Sequence, residues 1–272
     1  MAKAPTYLVI GAGKMGGALL QGWLDSGTVK AKQLIILDPT PGEAARAAIK
    51  NGALHLKEPS KKLAAVDFAL LGIKPQMFTK LAPPIAKHLP DGALVISILA
   101  GTSLAALEQT FSAQKLIRTM PNTPASIGKG ITAYTAGKDV SDAQTSMTET
   151  LLSAGGPVHR VETEQMIDMV TAVSGSGPAY IFHLTEALEA AALKIGLPAD
   201  LATALARQTV IGSAALMDES GISATQLRQN VTSPNGTTQA ALDVLMGSEG
   251  LPSLMRETVQ AALKRAKELA EG

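Results

Sequence analysis

The chain of 272 residues has no cysteine, which excludes disulfides, thiolate catalysis and cysteine-ligated metal centres. Its four histidines, His55, His88, His159 and His183, lack the spacing that brings several ligands to one ion, so no metal is expected. Charge of one sign is missing too. The formal net charge is +1 with no basic block, which removes the electrostatic footprint of a nucleic-acid binder or of a protein held on an anionic membrane. The longest apolar stretch, around Ala93 to Ala100, is far short of the roughly 20 residues needed to cross a bilayer. No secretory-type leader opens the sequence, which predicts a cytoplasmic protein. Aromatic residues are only 3%, and alanine abounds in the last hundred residues, so the helices there approach closely while each buries little area and gains from a partner subunit. What is present, 46% hydrophobic and 17% charged residues, describes a globular protein with ample core and a small-molecule partner.

Tyr7 to Ile10 reads as a short apolar strand. It runs directly into Gly11-Ala12-Gly13-Lys14-Met15-Gly16 and then into a helical run from Gly17 to Ser26. In this GxGxxG the first glycine allows the tight turn, the second lets a pyrophosphate approach the backbone, and the third lets helix pack on strand. Strand, motif and helix together point to a dinucleotide. A second strand, Leu34 to Leu37, ends at Asp38, near where such a fold places an acid on the adenosine ribose and so favours NAD over NADP. Asp-Pro-Thr-Pro-Gly is equally an ordinary turn in which Asp38 bonds the following amides, and Thr40 with nearby cations suits a ribose phosphate, so the preference stays open.

Later strands repeat the logic. Val66 to Leu71 runs into Gly72-Ile73-Lys74-Pro75, Ala93 to Leu99 into Ala100-Gly101, and Leu116 to Arg118 into a polar turn that contains Asn122, a candidate partner of a nicotinamide carboxamide. Loops outside the carboxyl ends of such strands line the ligand crevice. From about Glu164 the pattern becomes nearly all helical. The expected organisation is therefore an α/β Rossmann-type dinucleotide-binding domain over residues 1–163 and an all-helical domain over 164–272 for substrate binding and dimerisation.

In the second half, Ser174-Gly175-Ser176-Gly177-Pro178 reads as a breaker cluster between two helical runs. Helices are expected from about Pro198 to Asp218, Ala224 to Asn230, Thr237 to Met246 and Pro252 to Ala270. The Pro198 helix has small or apolar residues on several faces, which an interlocked homodimer would bury. Val231 to Thr238, VTSPNGTT, is the most telling stretch. Pro234, Asn235 and Gly236 stop one helix and the next begins at Thr237 and Thr238, so unpaired amides and a positive dipole end are available to a small carboxylate without Arg or Lys. An ordinary capped turn uses the same residues.

With these segments assembled, the chain resembles the pyrroline-5-carboxylate reductase family along nearly its whole length. The resemblance is carried by VIGAGKMG at 9–16, GIKP at 72–75, RTMPNTP at 118–124, VSGSGPAY at 173–180 and VTSPNGTT at 231–238. It implies hydride transfer from NADPH or NADH to the imine of 1-pyrroline-5-carboxylate, giving L-proline, and a homodimer, often five dimers in a decamer. It assigns Ser176, Ser233, Gly236, Thr237 and Thr238 to the substrate, with Thr238 bonding the ring nitrogen as the catalytic hydroxyl. The cofactor falls to Ile10, the 11–16 turn, Asp38, Gly72 to Pro75, Ala100, Gly101 and Asn122. Asn235 stands where the family often has glycine, a residue tolerant of left-handed backbone. A β-hydroxyacid dehydrogenase is the nearest rival, but its catalytic lysine has no counterpart, since no lysine follows Gly175-Ser176-Gly177 before Lys194. A non-catalytic nicotinamide sensor, the rival of another kind, predicts binding without turnover.

Overall fold

A computed structural model describes residues 4–271. Short apolar segments form an eight-stranded sheet among the described residues, in the order β3-β2-β1-β4-β5-β6-β7-β8. The strands are β1 (Tyr7–Ile10), β2 (Leu34–Leu37), β3 (Leu54–Leu56), β4 (Phe68–Leu71), β5 (Leu94–Ser97), β6 (Lys115–Pro121), β7 (Thr132–Ala136) and β8 (Val158–Arg160). From β3 to β6 all pairings are parallel, β7 runs antiparallel to β6, and β8 lies parallel to β7. Sheets of this type are covered on both faces, which is why β1, β2 and β5 are buried at every position rather than at alternate ones.

The covering helices are α1 (Lys14–Asp25), α2 (Glu43–Lys50), α3 (Phe78–Ala86), α4 (Leu104–Thr110) and α5 (Asp142–Leu152). One core cluster joins Leu19, Leu20 and Trp23 of α1 to Val9, Ile36 and Leu151; the other joins Leu8, Ile10 and Ile35 to Phe78, Ile85 and Phe111. Trp23 satisfies its buried indole N–H by donating to the Leu151 carbonyl at 2.6 Å, so α1 and α5 are tied by a directional bond as well as by packing. The strand order reverses between β1 and β4, and that reversal fixes where a ligand crevice can open.

The chain divides into two compact units, one running to Ser176 and taking in the segment from Ala262, the other spanning Gly177–Ala261. The first includes α6 (Glu164–Val170), which the expected boundary at residue 164 assigns to the helical domain. It sits with the sheet because Ile167 is buried beside Ala133 and Val161. The second holds α7 (Gly177–Lys194), α8 (Ala199–Ser220), α9 (Ala224–Asn230), α10 (Thr237–Leu245) and the start of α11 (Leu251–Glu271). No residue of α7 is buried, and α8 buries only Ala202 and Ala206. Phe182, for example, is 63% exposed.

Two expectations are corrected. The first helix begins at Lys14 rather than Gly17, so Gly13 is its N-cap. The cluster from Ser174 to Pro178 does stand between two helical runs, but the first run reaches into it: Thr171–Gly175 extends α6 as a π-helical turn, with the Ser176 N–H donating to the Thr171 carbonyl at 2.9 Å, and α7 starts at Gly177 with Pro178 in its first turn. The polar residues do not interrupt the helix because their hydroxyls bond backward, Thr171 to the Ile167 carbonyl and Ser174 to that of Val170.

Candidate functional site

The crevice is built where β1 and β4 end. Gly72 N–H donates to the Ile10 carbonyl at 2.8 Å and Gly11 N–H to that of Leu37 at 3.1 Å, which draws the three strand ends together. Gly11 has φ +80°, and a Cβ there would meet the Gly72 carbonyl oxygen at 2.8 Å, so both conformation and space demand glycine. A Cβ on Gly16 would strike the Gly11 carbonyl oxygen, which lets α1 sit directly on the turn. Gly13 is different in kind. Nothing lies within 4 Å of a Cβ built on it, so the space above the α1 N-terminus is open. No side chain caps this helix, and its leading amides have no intrahelical acceptor. That is a place for an anion, and the open cradle fits a dinucleotide pyrophosphate.

A cavity of about 370 Å³ opens beside it. Ile10, Gly11, Gly13, Asp38, Gly72, Ile73 and Lys74 of the expected cofactor set line it, together with Thr40 and Lys57. Ala12 and Lys14 face a second hollow between α1 and α2, which Gly13 also borders. Met15, Gly16, Pro75, Ala100, Gly101 and Asn122 line neither. Gly101 has φ +70°, and a Cβ there would meet Leu269 Cβ at 3.0 Å, so its freedom serves the packing of α11.

Asp38 takes the turn reading with both of its oxygens. One carboxylate oxygen accepts the Ala12 N–H at 2.8 Å and the other accepts that of Thr40 at 2.8 Å. The carboxylate thus braces the glycine turn while lining the cavity. Asn122 likewise has a structural task, since its Oδ1 accepts the Ile131 N–H at 2.9 Å, leaving the NH₂ end of its amide as the group to offer a ligand.

Sequence reasoning missed one charged cluster in this unit. Arg118, on β6, donates to Glu164 at 2.8 Å and to Asp168 at 2.7 Å, and its side chain is 3% exposed. The signals were an arginine within an otherwise buried strand and two acids one helical turn apart at the start of α6, but nothing in the sequence pairs them.

In the second unit, the Val231–Thr238 loop links α9 to α10. Asn235 adopts φ +58°, the left-handed geometry in which asparagine replaces glycine at low cost. Gly236 N–H closes the turn on the Ser233 carbonyl at 3.1 Å, and a Cβ on Gly236 would collide with Ser233 Oγ. Gly236 is also the N-cap of α10, with no side chain bonding the first turn. The hydroxyls of Ser233, Thr237 and Thr238 make no hydrogen bond among the described residues. Ser233 and Thr237 are exposed and Thr238 is half-buried. The loop therefore presents free amides and hydroxyls and carries no ionisable side chain. Ser176, at the end of the first unit, is half-buried beyond the π turn.

Among the described residues, no group of three or more His, Cys, Asp or Glu is placed to hold a metal ion, and no helix is long and apolar enough to cross a membrane.

A doubly wound sheet with its glycine turn and open crevice at the strand reversal, followed by a helical unit, defines a dinucleotide-dependent oxidoreductase. Residues 6–101 match the family model described as NADP oxidoreductase coenzyme F420-dependent, and residues 164–269 match pyrroline-5-carboxylate reductase dimerisation. The chain is 37% identical to a pyrroline-5-carboxylate reductase of Pseudomonas aeruginosa, covering 98% of this chain and 97% of that one. The structure superposes on a pyrroline-5-carboxylate reductase of Coxiella burnetii with a TM-score of 0.89 at 33% identity, over 98% of this chain and 99% of that one. A pyrroline carboxylate reductase of Plasmodium falciparum, solved with NADP bound, gives 0.83 at 26% identity, over 99% of this chain and 100% of that one. The chain belongs to the pyrroline-5-carboxylate reductase family.

Proposed function

We propose that this protein reduces 1-pyrroline-5-carboxylate to L-proline, the final step of proline biosynthesis, with NADPH or NADH as reductant. When bound, the reduced nicotinamide supplies a hydride to the imine carbon, the C=N π electrons pass to nitrogen, and nitrogen ends protonated. The amides at Lys14 and Met15 hold the pyrophosphate, and the open space at Gly13 admits it. Asp38, Thr40 and Lys57 border the adenosine ribose. Gly72 to Lys74 form the crevice wall, Pro75, Ala100 and Gly101 support it from behind, and the NH₂ of Asn122 donates to the carboxamide.

The substrate carboxylate is held by Ser233, Gly236, Thr237 and Thr238. The observation that carries this reading is the uncapped start of α10, with free hydroxyls at Thr237 and Thr238 and no ionisable side chain in the loop. Such a loop orients an anion and orders a ring, which is the main task in imine reduction. Thr238 bonds the ring nitrogen. An alcohol is poorly matched to proton donation at neutral pH, so the imine takes its proton from solvent and the resulting iminium N–H is steadied by the oxygen of this hydroxyl.

The helical unit is the homodimer surface, with five dimers closing into a decamer and the enzyme working in the cytoplasm. Light scattering at several concentrations measures the assembly. The decisive assay follows loss of reduced-nicotinamide absorbance with pyrroline-5-carboxylate, using NADH and NADPH separately. Substrate-dependent oxidation is expected, and Thr238→Ala lowers it by about 10- to 1000-fold, the range for one lost preorganised hydrogen bond. Tight cofactor binding without turnover refutes the reading and favours the sensor.

A further inference from the structure

The Arg118 cluster raises a question that packing does not answer. Arg118 and Met120 lie two apart on β6 and therefore on one face of the strand. Met120 already holds the following segment by apolar contact, since a Cβ on Gly175 would come within 2.6 Å of Met120 Cε and Val170 packs on the same cluster. Ile167, Ala133 and Val161 bury the face of α6. Apolar contact alone would keep this helix on the sheet.

A buried ion cluster adds little net stability over apolar packing, because desolvation offsets attraction. What it adds is direction. The guanidinium is a rigid fork, and here it must meet two carboxylates one helical turn apart, at 2.8 Å on Glu164 and 2.7 Å on Asp168. Only one rotation and one axial position of α6 satisfy both. The same Glu164 Oε1 also accepts the Leu104 N–H at 2.6 Å, at the first residue of α4 and just after the Ala100–Gly101 turn. One carboxylate oxygen thereby joins the loop after β5 to the strand β6, and Arg118 carries the connection to α6 and the π turn that ends in Ser174 to Ser176.

Resting on the proposed reduction, we infer that Arg118, Glu164 and Asp168 are positioning residues for it: they lock the turn after β5, strand β6 and the Ser174–Ser176 turn into one arrangement, on the side where that reading puts the nicotinamide. They touch neither reactant. Their contribution is geometric, and a displacement of about 1 Å at a reacting centre costs on the order of 100-fold in rate.

The test uses the full-length protein with Glu164→Gln, which keeps a hydrogen-bonding group but removes the charge, and Arg118→Lys, which keeps the charge but removes the fork. Tyr134→Phe is the control, because it removes a partly buried hydrogen bond to Glu149 elsewhere in the same unit. For both cluster variants kcat is expected to fall about 10- to 100-fold, cofactor affinity to stay within about threefold, and the primary deuterium isotope effect on the transferred hydrogen to rise as hydride transfer becomes limiting. Tyr134→Phe should lower Tm without these changes. Amide hydrogen exchange, read without substrate, should quicken at residues 100–104 and 171–176 in Glu164→Gln while residues 11–16 keep the wild-type rate. A variant with lower Tm but unchanged kcat, isotope effect and exchange overturns the inference. If wild-type protein fails to turn over pyrroline-5-carboxylate, the functional reading falls by itself, and the exchange pattern still decides whether the cluster locks these turns.

Discussion

Gly11 and Gly13 are two residues apart in one motif, yet replacing each by alanine should damage different properties. At Gly11, alanine must take φ +80° and place its methyl 2.8 Å from the Gly72 carbonyl oxygen, 2.9 Å from its carbonyl carbon and 3.0 Å from Ile73 N. All three neighbours are backbone at the centre of the sheet and cannot yield by changing rotamer. The left-handed conformation costs about 1–2 kcal/mol and overpacking about 1–3 kcal/mol. At about 2–4 °C per kcal/mol for a chain of this size, Tm falls by about 4–20 °C. At Gly13 the backbone is already extended, with φ −72° and ψ −156°, and the methyl meets nothing. Stability there is unchanged or rises by up to about 1 kcal/mol through the unfolded chain. The methyl instead occupies the pyrophosphate space, and losing one charge-assisted hydrogen bond costs about 1.5–3 kcal/mol, or about 10- to 150-fold in cofactor affinity. Differential scanning fluorimetry and titration of cofactor binding, run on both variants, read the two properties separately. A Gly13→Ala protein that binds NADPH and NADH like wild type would refute the placement of the pyrophosphate over this turn.

Three further outcomes are expected. Asp38→Asn weakens both cofactors through the loosened Ala12 turn and weakens NADH more than NADPH, because a carboxylate facing the ribose favours a diol over a phosphate; equal effects in steady-state kinetics would remove Asp38 from ribose recognition. Asn235→Gly leaves folding and turnover near wild type, whereas Asn235→Val lowers stability by about 1–2 kcal/mol and raises the KM for pyrroline-5-carboxylate, since φ +58° is hostile to a β-branched residue. Tyr134 has its phenol pKa pushed up to about 12, first by burial and then by its bond to Glu149. The folded state holds this proton after the unfolded state begins to release it near pH 10, so stability falls between pH 10 and 12, and urea unfolding should show a shallower fall in Tyr134→Phe.

Much of the first unit was legible because its signals are local. Apolar runs bounded by glycine or aspartate marked β1 and β2 to the residue, and the glycine spacing placed the turn between strand and helix. β3 and β8 are three-residue strands containing His55 and His159, with exposed positions, and no local pattern separates them from a loop. The π turn leaves no mark in the sequence because glycine and serine usually end helices. Their role depends on Met120, some fifty positions earlier, for which Gly175 leaves room. Asp38 shows the opposite limit: its neighbours carry the bond to the Thr40 amide two residues on, but not the one to Ala12, twenty-six positions earlier. In the loop before α10, Asn235 carried its backbone conformation in its identity. The partners of Arg118 were invisible, since ion pairing across distant segments leaves no periodicity.

The bareness of α7 has a consequence for how this protein persists at low abundance. α7 packs on α8 yet buries none of its residues within one chain, and it lies in the segment that matches the dimerisation family model, so a second copy supplies the missing cover. The free energy that holds the helical unit together then includes a term in the logarithm of protein concentration. Dilution acts on it as a denaturant would.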